Sequence, residues 1–349
     1  MNVQQTPLYE IAAGAGLQPR ALQSDTGGLV VTVRGARILG IFLDGAGDNL
    51  LWVNPDVLGD ARRAKESLAA GEWTLGGDRC WLAPEIELHF LNTERPSHKE
   101  YAVPPALDPG TYTVRKESVG GLLLQNAGQA TNLVSRGEFG FRTTRTITLC
   151  APPIDAAGLS YVGYELSSEL EITSPDRPEA CYGLWHLMHL PPGGGIHIAT
   201  RRKPEIVDYF ATDVAGHCRL RDDSIVFPIT GTAMQKLGLR AADVTGMMGY
   251  YRPAPGGNAT LIVRQTAVFG GATYADYPAN QRQRRDVAVQ CWNNPGATPT
   301  CGEMEYHSVA ATAASFFHTR DVSRTWCFGG PAERVRDTGR QLLGVREVG

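Results

Sequence analysis

The sequence has no Cys-x-x-Cys pair, no complete nucleotide-binding fingerprint and no apolar run long enough to cross a bilayer. Its seven cysteines (80, 150, 181, 218, 291, 301 and 327) are odd in number and lack metal-ligand spacing. That argues against a disulfide framework and a structural zinc site, leaving buried thiols that pack as small apolar side chains. A net charge of -3 supplies no basic field for nucleic acid and no anchor for an acidic membrane. Residues 1–22 lack the charged and apolar segments of a secretory leader, so a cytoplasmic protein is expected. Gly14-Ala15-Gly16 lacks the third glycine and the βαβ setting of a dinucleotide site, and Ser160 stands one residue out of register for a nucleophile elbow. His186 and His189 have a spacing that suits a shared metal on a helix, but on a strand they point to opposite faces. No metal, cofactor, nucleic acid or membrane partner is expected.

Turn formers are plentiful instead: 40 glycines and 22 prolines in 349 residues favour β-rich architecture over helix bundles. Hydrophobic residues at 42% and charged residues at 20% describe a soluble globular chain with ample core. Short β-branched and apolar runs bounded by Gly, Pro, Asn or Asp predict strands at 29–33, 37–43, 86–90, 111–114, 122–125, 143–149, 161–172, 183–190 and 196–200. More are predicted at 224–228, 246–251, 259–265, 287–292 and 303–309. Gly45-Ala46-Gly47-Asp48-Asn49 reads as a turn, after which 50–53 resumes the chain. Helices are expected around 10–14, at 60–70 with Asp60 as N-cap, and at 332–343, with the tail from 319 partly helical. With no repeat and no linker, the expectation is one all-β domain over 1–349, a large antiparallel β-sandwich with a few short helices.

Cys301 to Ala310 reads C-G-E-M-E-Y-H-S-V-A. As a strand it places Glu303, Glu305 and His307 on one face, and Met304, Tyr306 and Ser308 on the other. Charged side chains are rarely buried unless paired, so the first face is either solvated or lines a polar cleft. Arg79 follows two glycines and precedes Trp81; its planar fork suits carboxylates and vicinal hydroxyls, and the indole suits the C–H face of a sugar. An ion pair with Asp78 or Glu85 is the plainer role for Arg79. Trp185 and Trp292 are either core or sugar platforms, and Lys236, at an expected strand end in M-Q-K-L-G, reads as a solvated lysine within reach of a cleft.

Three stretches together resemble the aldose 1-epimerases (galactose mutarotases). Gly35-Ala36-Arg37-Ile38 with Asn49-Leu50-Leu51-Trp52 is similar to that family's opening strand and "NLLW" segment. Trp185-His186-Leu187-Met188-His189, closed by Pro191-Pro192-Gly193, is similar to its H-P-Y-F-N-L strand and glycine turn. Gln290-Cys291-Trp292 and Glu303-Met304-Glu305 are similar to its "QxYT" and "LExQ" strands. Gly76–Glu85 (G-G-D-R-C-W-L-A-P-E) and the late E-M-E-Y-H-S resemble a bacterial branch of the same superfamily. Met188, His189 and Leu190 depart from the Tyr, Phe and Asn after the family's histidine, and its second histidine has no counterpart here.

The resemblance implies a supersandwich that binds sugars in a concave cleft. It implies Glu305 as base and His186 as acid, with His189 taking that place if its face is the one that meets the cleft. Arg79, Glu303, His307, Trp81, Trp185, Trp292 and Gln290 are the expected substrate-binding residues. The leading expectation is a 1-epimerase acting on a hexose or hexuronate, by proton transfer to the ring oxygen and from the anomeric hydroxyl. A lyase or glycoside hydrolase on the same fold, or a non-catalytic carbohydrate-binding protein, are the rivals. Each takes a small sugar or an oligosaccharide as partner.

Overall fold

The computed structural model describes residues 2–44, 48–72, 74–296 and 300–349. The turn expected at Gly45-Ala46-Gly47 lies outside the described residues. Two antiparallel sheets stack into the expected all-β sandwich. One has nine strands in the spatial order Pro19–Gln23, Gly27–Thr32, Arg37–Leu43, Asp78–Ala83, Gly183–Leu190, Cys301–His307, Val287–Asn294, Gln235–Arg240 and Ile206–Asp208. The other has ten: Arg219–Leu220, Ser224–Ile229, Gly194–Thr200, Val244–Ala254, Asn258–Thr266, His318–Pro331, Ser160–Ser174, Glu138–Leu149, Gly121–Thr131 and Thr113–Ser118.

The two sheets differ in what covers them, and the sequence shows it. Arg37–Leu43, Asp78–Ala83, Gly183–Leu190 and Cys301–His307 are buried at every position, because both faces of their sheet are covered. Ser160–Ser174 alternates buried with less buried residues, because one face of its sheet meets water. Between the sheets, Met188, Leu190, Met304 and Tyr306 meet Tyr164, Leu166, Ile262 and Cys327. On the outer side of the ten-stranded sheet, the expected helix Ala332–Leu343 lays Val335 and Leu343 on Leu261, Val263, Trp326 and Phe328. Pro7–Gly14 and Ala61–Ala69 cover Val30, Leu39 and Phe42, and the Asp60 carboxylate accepts from the Arg63 backbone N–H at 2.8 Å, capping the second helix as expected.

Three expectations need correction. Residues 86–90 are not a strand: Glu85–Leu88 is one helical turn after Pro84, which brings Ile86 and Phe90 to one side against Tyr277. The start of the tail is not helical: His318–Pro331 is a 14-residue strand. Its inward residues Thr319, Asp321, Ser323 and Thr325 are polar, so the period of two never showed as alternating hydrophobicity. Residues 50–53 form no strand beyond an isolated bridge from Val53 to Gly76. Strands at Pro19–Gln23, Asp78–Ala83, Ile206–Asp208 and Arg219–Leu220 were not predicted, and Gln235–Arg240 was expected only as a strand end at Lys236.

Gly76 and Gly77 show why Arg79 must follow two glycines. Both have positive φ, and a Cβ at either would lie 2.4 Å from the Trp52 carbonyl or 2.6 Å from that of Ile38. Only glycine lets the chain pass beside Trp52 and enter the sheet at Asp78.

Candidate functional site

Five neighbouring strands of the nine-stranded sheet build the floor of a cleft, and their pairing register fixes which side chains meet. On the face away from the core, His189, Glu303, Trp292 and Lys236 form one row across four strands. A second row holds Arg79, Leu187, Glu305 and Gln290, and a third Trp81, Trp185 and His307. Every member follows from the two-residue period of its strand. The walls come from outside the sheet: Trp52, the Glu85–Leu88 turn, His98 and Tyr101 from the following loop, and Phe210. The enclosed volume is about 790 Å³.

Arg79, His189 and Glu303 form a closed triangle. The Arg79 guanidinium donates to Glu303 Oε1 at 3.1 Å and lies 2.8 Å from His189 Nδ1, while His189 Nε2 lies 2.9 Å from the same Glu303 oxygen. An arginine can only donate, so Nδ1 accepts and Nε2 carries the proton toward Glu303. That assignment makes the imidazole neutral, in keeping with burial holding its pKa below the ordinary value against the pull of Glu303. Burial also opposes ionisation of Glu303, but the His189 N–H hydrogen bond and the Arg79 charge outweigh it and hold the carboxyl below its ordinary value. Trp52 stacks on His189 at 5.3 Å, and the Arg79 guanidinium carbon sits 4.0 Å over the Trp81 ring.

The second charged group centres on Lys236. Its ammonium donates to Glu85 Oε2 at 2.8 Å and lies 3.5 Å from Glu305 Oε2, 4.6 Å above the Trp185 ring. Glu305 is fully buried beneath that lysine and indole, accepts from Trp185 Nε1 at 2.7 Å, and has no partner for Oε1. Burial pushes its carboxyl up to about 8; Lys236 opposes this, and Glu303 and Glu85 reinforce it. Glu85 Oε1 accepts from the Tyr101 hydroxyl at 3.2 Å.

The cleft brings together Arg79, Glu303, His189, Trp81, Trp185 and Trp292 from the expected residues. Four others lie elsewhere. His186 points into the core between the sheets, where its ring stacks on Tyr306 at 4.4 Å and burial holds its pKa well down. The strand's period sends His186 one way and His189 the other, so the expected acid at His186 is corrected by placement. His307 is sealed under Trp185, 4.0 Å from Asp276, with its pKa pushed down to about 4 by burial. Gln290 sits behind the wall, donating to Asp276 and to the Tyr209 hydroxyl at 2.6 Å each. Glu305 stands one layer below the lining, behind Lys236 and Trp185.

Sequence reasoning missed Glu85, His98, Tyr101 and Phe210, and took Lys236 for a solvated lysine, although it is 3% exposed. Lys236 stands directly across from Trp292 in the pairing, a signal unavailable until the Gln235–Arg240 strand is paired with its neighbour. Among the described residues no three His, Cys, Asp or Glu side chains are arranged to hold a metal ion.

The fold is that of the galactose mutarotase-like β-sandwiches. A "Putative aldose 1-epimerase" from Escherichia coli K12 matches with a TM-score of 0.51 at 13% identity, over 89% of this chain and 98% of that one. A galactose mutarotase-like protein from Lactobacillus casei matches with a TM-score of 0.50 at 9% identity, over 88% and 99%. Among curated proteins, none matches the sequence. Residues 22–346 match the model of a family of unknown function (DUF6786), and the chain belongs to that family. No described helix is long and apolar enough to cross a membrane.

Proposed function

We propose that this chain is a carbohydrate-active protein whose cleft binds a sugar ring and moves protons on it, most simply as an aldose or uronate 1-epimerase. The observation that carries the reading is the Lys236–Glu85–Glu305 cluster, an ammonium within 3.5 Å of two carboxyl groups at the edge of an aromatic-walled cleft. Such a group holds an acid and a base side by side. Burial lowers the Lys236 pKa, but Glu305, Glu85 and Asp276 outweigh it and hold the ammonium's pKa above its ordinary value, so ionised carboxylates beside it restrain the transfer. The Lys236 ammonium gives a proton to the ring oxygen as the Glu85 carboxylate takes one from the anomeric hydroxyl. The C1–O5 bond breaks to the open-chain aldehyde, and reversal after rotation about C1–C2 closes either anomer. Glu305 acts through Lys236: while neutral, it leaves the ammonium one carboxylate partner, and once ionised it would hold that proton more tightly.

The Arg79–His189–Glu303 triangle has a different part in this reading. Both ring nitrogens of His189 are engaged, so it orients Glu303, and the Glu303 carboxylate accepts hydrogen bonds from sugar hydroxyls. Trp52 and Trp292 offer apolar faces to the ring. Exchange NMR with a panel of aldoses and uronates tests the proposal. Wild type should accelerate α/β interconversion of at least one sugar, and Lys236→Met should bind that sugar without accelerating it. The burial of Glu305 beneath Trp185 favours one second reading, a non-catalytic carbohydrate-binding protein. Binding with no acceleration by wild type would select it, and new unsaturated products would select a lyase.

A further inference from the structure

A second compartment lies beside the cleft, and of its lining only the Glu85 carboxylate takes part in the reaction described above. It encloses about 420 Å³ and is lined by Ile86, Phe90, Tyr209, Tyr277, Ala279 and Asn280, among others. Three residues, Glu85, His98 and Phe210, line both spaces, so the two are neighbours with a shared wall. Each volume alone falls within the roughly 300–1,000 Å³ that small-molecule sites occupy. The partition between them is built: His98 meets Phe210 edge-on at 5.6 Å and stacks between Tyr101 at 5.7 Å and Trp292 at 6.2 Å. The loop that carries His98 is closed at its base by the Phe90–Tyr101 bridge and tied at its tip by Arg282 donating to the Thr93 carbonyl at 2.6 Å.

We infer that the site takes a chain of at least two linked sugars, the reducing-end ring with its free anomeric hydroxyl in the cleft and the next ring in the Phe90–Tyr277 compartment, with the linkage passing His98 and Phe210. This rests on the carbohydrate reading above and extends it to substrate length. Aromatic faces and polar groups are interleaved in the second compartment: Phe90, Phe210 and Tyr277 beside the Glu85 carboxylate and the Asn280 amide. That mixture matches a pyranose, which shows apolar C–H faces and a polar rim, better than an apolar aglycone.

Calorimetric titration of the full chain with matched series tests the inference: glucose, N-acetylglucosamine and galacturonate, each with its 1,4-linked di- and trisaccharide and its p-nitrophenyl glycoside. In at least one series the disaccharide should bind at least about tenfold tighter than the monosaccharide, equivalent to about 1.4 kcal/mol. Ala279→Trp and Asn280→Trp, at two exposed positions, fill the compartment and should bring that ratio to about one. Equal affinities for mono- and disaccharide in every series that binds would overturn the inference while leaving the sugar reading in place. A p-nitrophenyl glycoside matching the disaccharide would overturn it too, because the compartment would then be taking apolar surface. Binding of no sugar at any length would overturn the carbohydrate reading, and this inference with it.

Discussion

The two faces of the nine-stranded sheet carry buried charge to different ends. On the core face, Asp78 accepts from Arg264 and, at 2.8 Å, from Tyr164, while the Tyr306 hydroxyl donates to Asp321 at 2.8 Å. On the cleft face, the next residue along each of two strands joins the other set: Arg79 follows Asp78, and Glu305 precedes Tyr306. The core set is sealed by the second sheet and its members pair with one another across the sandwich. The cleft set has one open side. Its charges are paired too, but Glu303 and Glu305 are held at opposite ends of the carboxyl range. Similar side chains thus act as a clamp between sheets on one face, and on the other line a cleft for which a proton-handling role is proposed.

The sharpest way to break that contrast is Arg264→Met, which leaves Asp78 buried without its cation. It should cost about 3–5 kcal/mol of stability in urea unfolding. Arg79→Met removes a comparable partner from Glu303, but water can enter from the cleft, so the loss should be about 1.5–3 kcal/mol. Sugar affinity should fall with it, by about 10- to 100-fold in titration, whereas Arg264→Met should leave the affinity of the folded fraction close to wild type.

Glu305 tests the cleft side by pH. Its folded pKa of about 8 lies above the ordinary value of 4.5, so its contribution to stability is fully present below about 4.5 and is lost as pH rises through 8. Glu305→Gln should therefore gain Tm relative to wild type between pH 5 and 8, and no such gain should appear at pH 4. The smallest effect is expected at His307. Its pKa of about 4 lies below the ordinary 6.5, so its contribution is present above 6.5 and lost as pH falls toward 4. His307→Gln should flatten the acid side of the melting curve slightly. His89 and His197, also pushed down to about 4 by burial, should keep most of the slope.

How much of this the sequence held depends on which interactions set each residue. The alternation of Cys301–His307 was legible because a strand's period is local: it set Glu303 and Met304 on opposite faces, and the structure turns the first to the cleft and the second, with Tyr306, to the core. The same rule said that only one of His186 and His189 faces outward, but it cannot say which until the strand is paired with its neighbours. Pairing puts His189 across from Glu303. Glu85, His98 and Phe210 were out of reach because they come from a one-turn helix and loops, whose positions are set by long-range contacts such as the Asp276 carboxylate on the Glu85 backbone N–H at 2.8 Å. Lys236 was misread for a related reason: an isolated lysine gives no sign of the two carboxyl groups that wait for it.

The most direct test of the proton-transfer account is the pH profile of anomer interconversion, measured by exchange NMR for wild type and Glu305→Gln with any sugar the protein accelerates. If Glu305 governs Lys236, the wild-type rate should fall as pH rises through about 8. Glu305→Gln, permanently neutral, should stay active and lose that falling limb. A limb near pH 8 that survives the substitution, or a profile that depends on His189→Gln instead, would contradict the account.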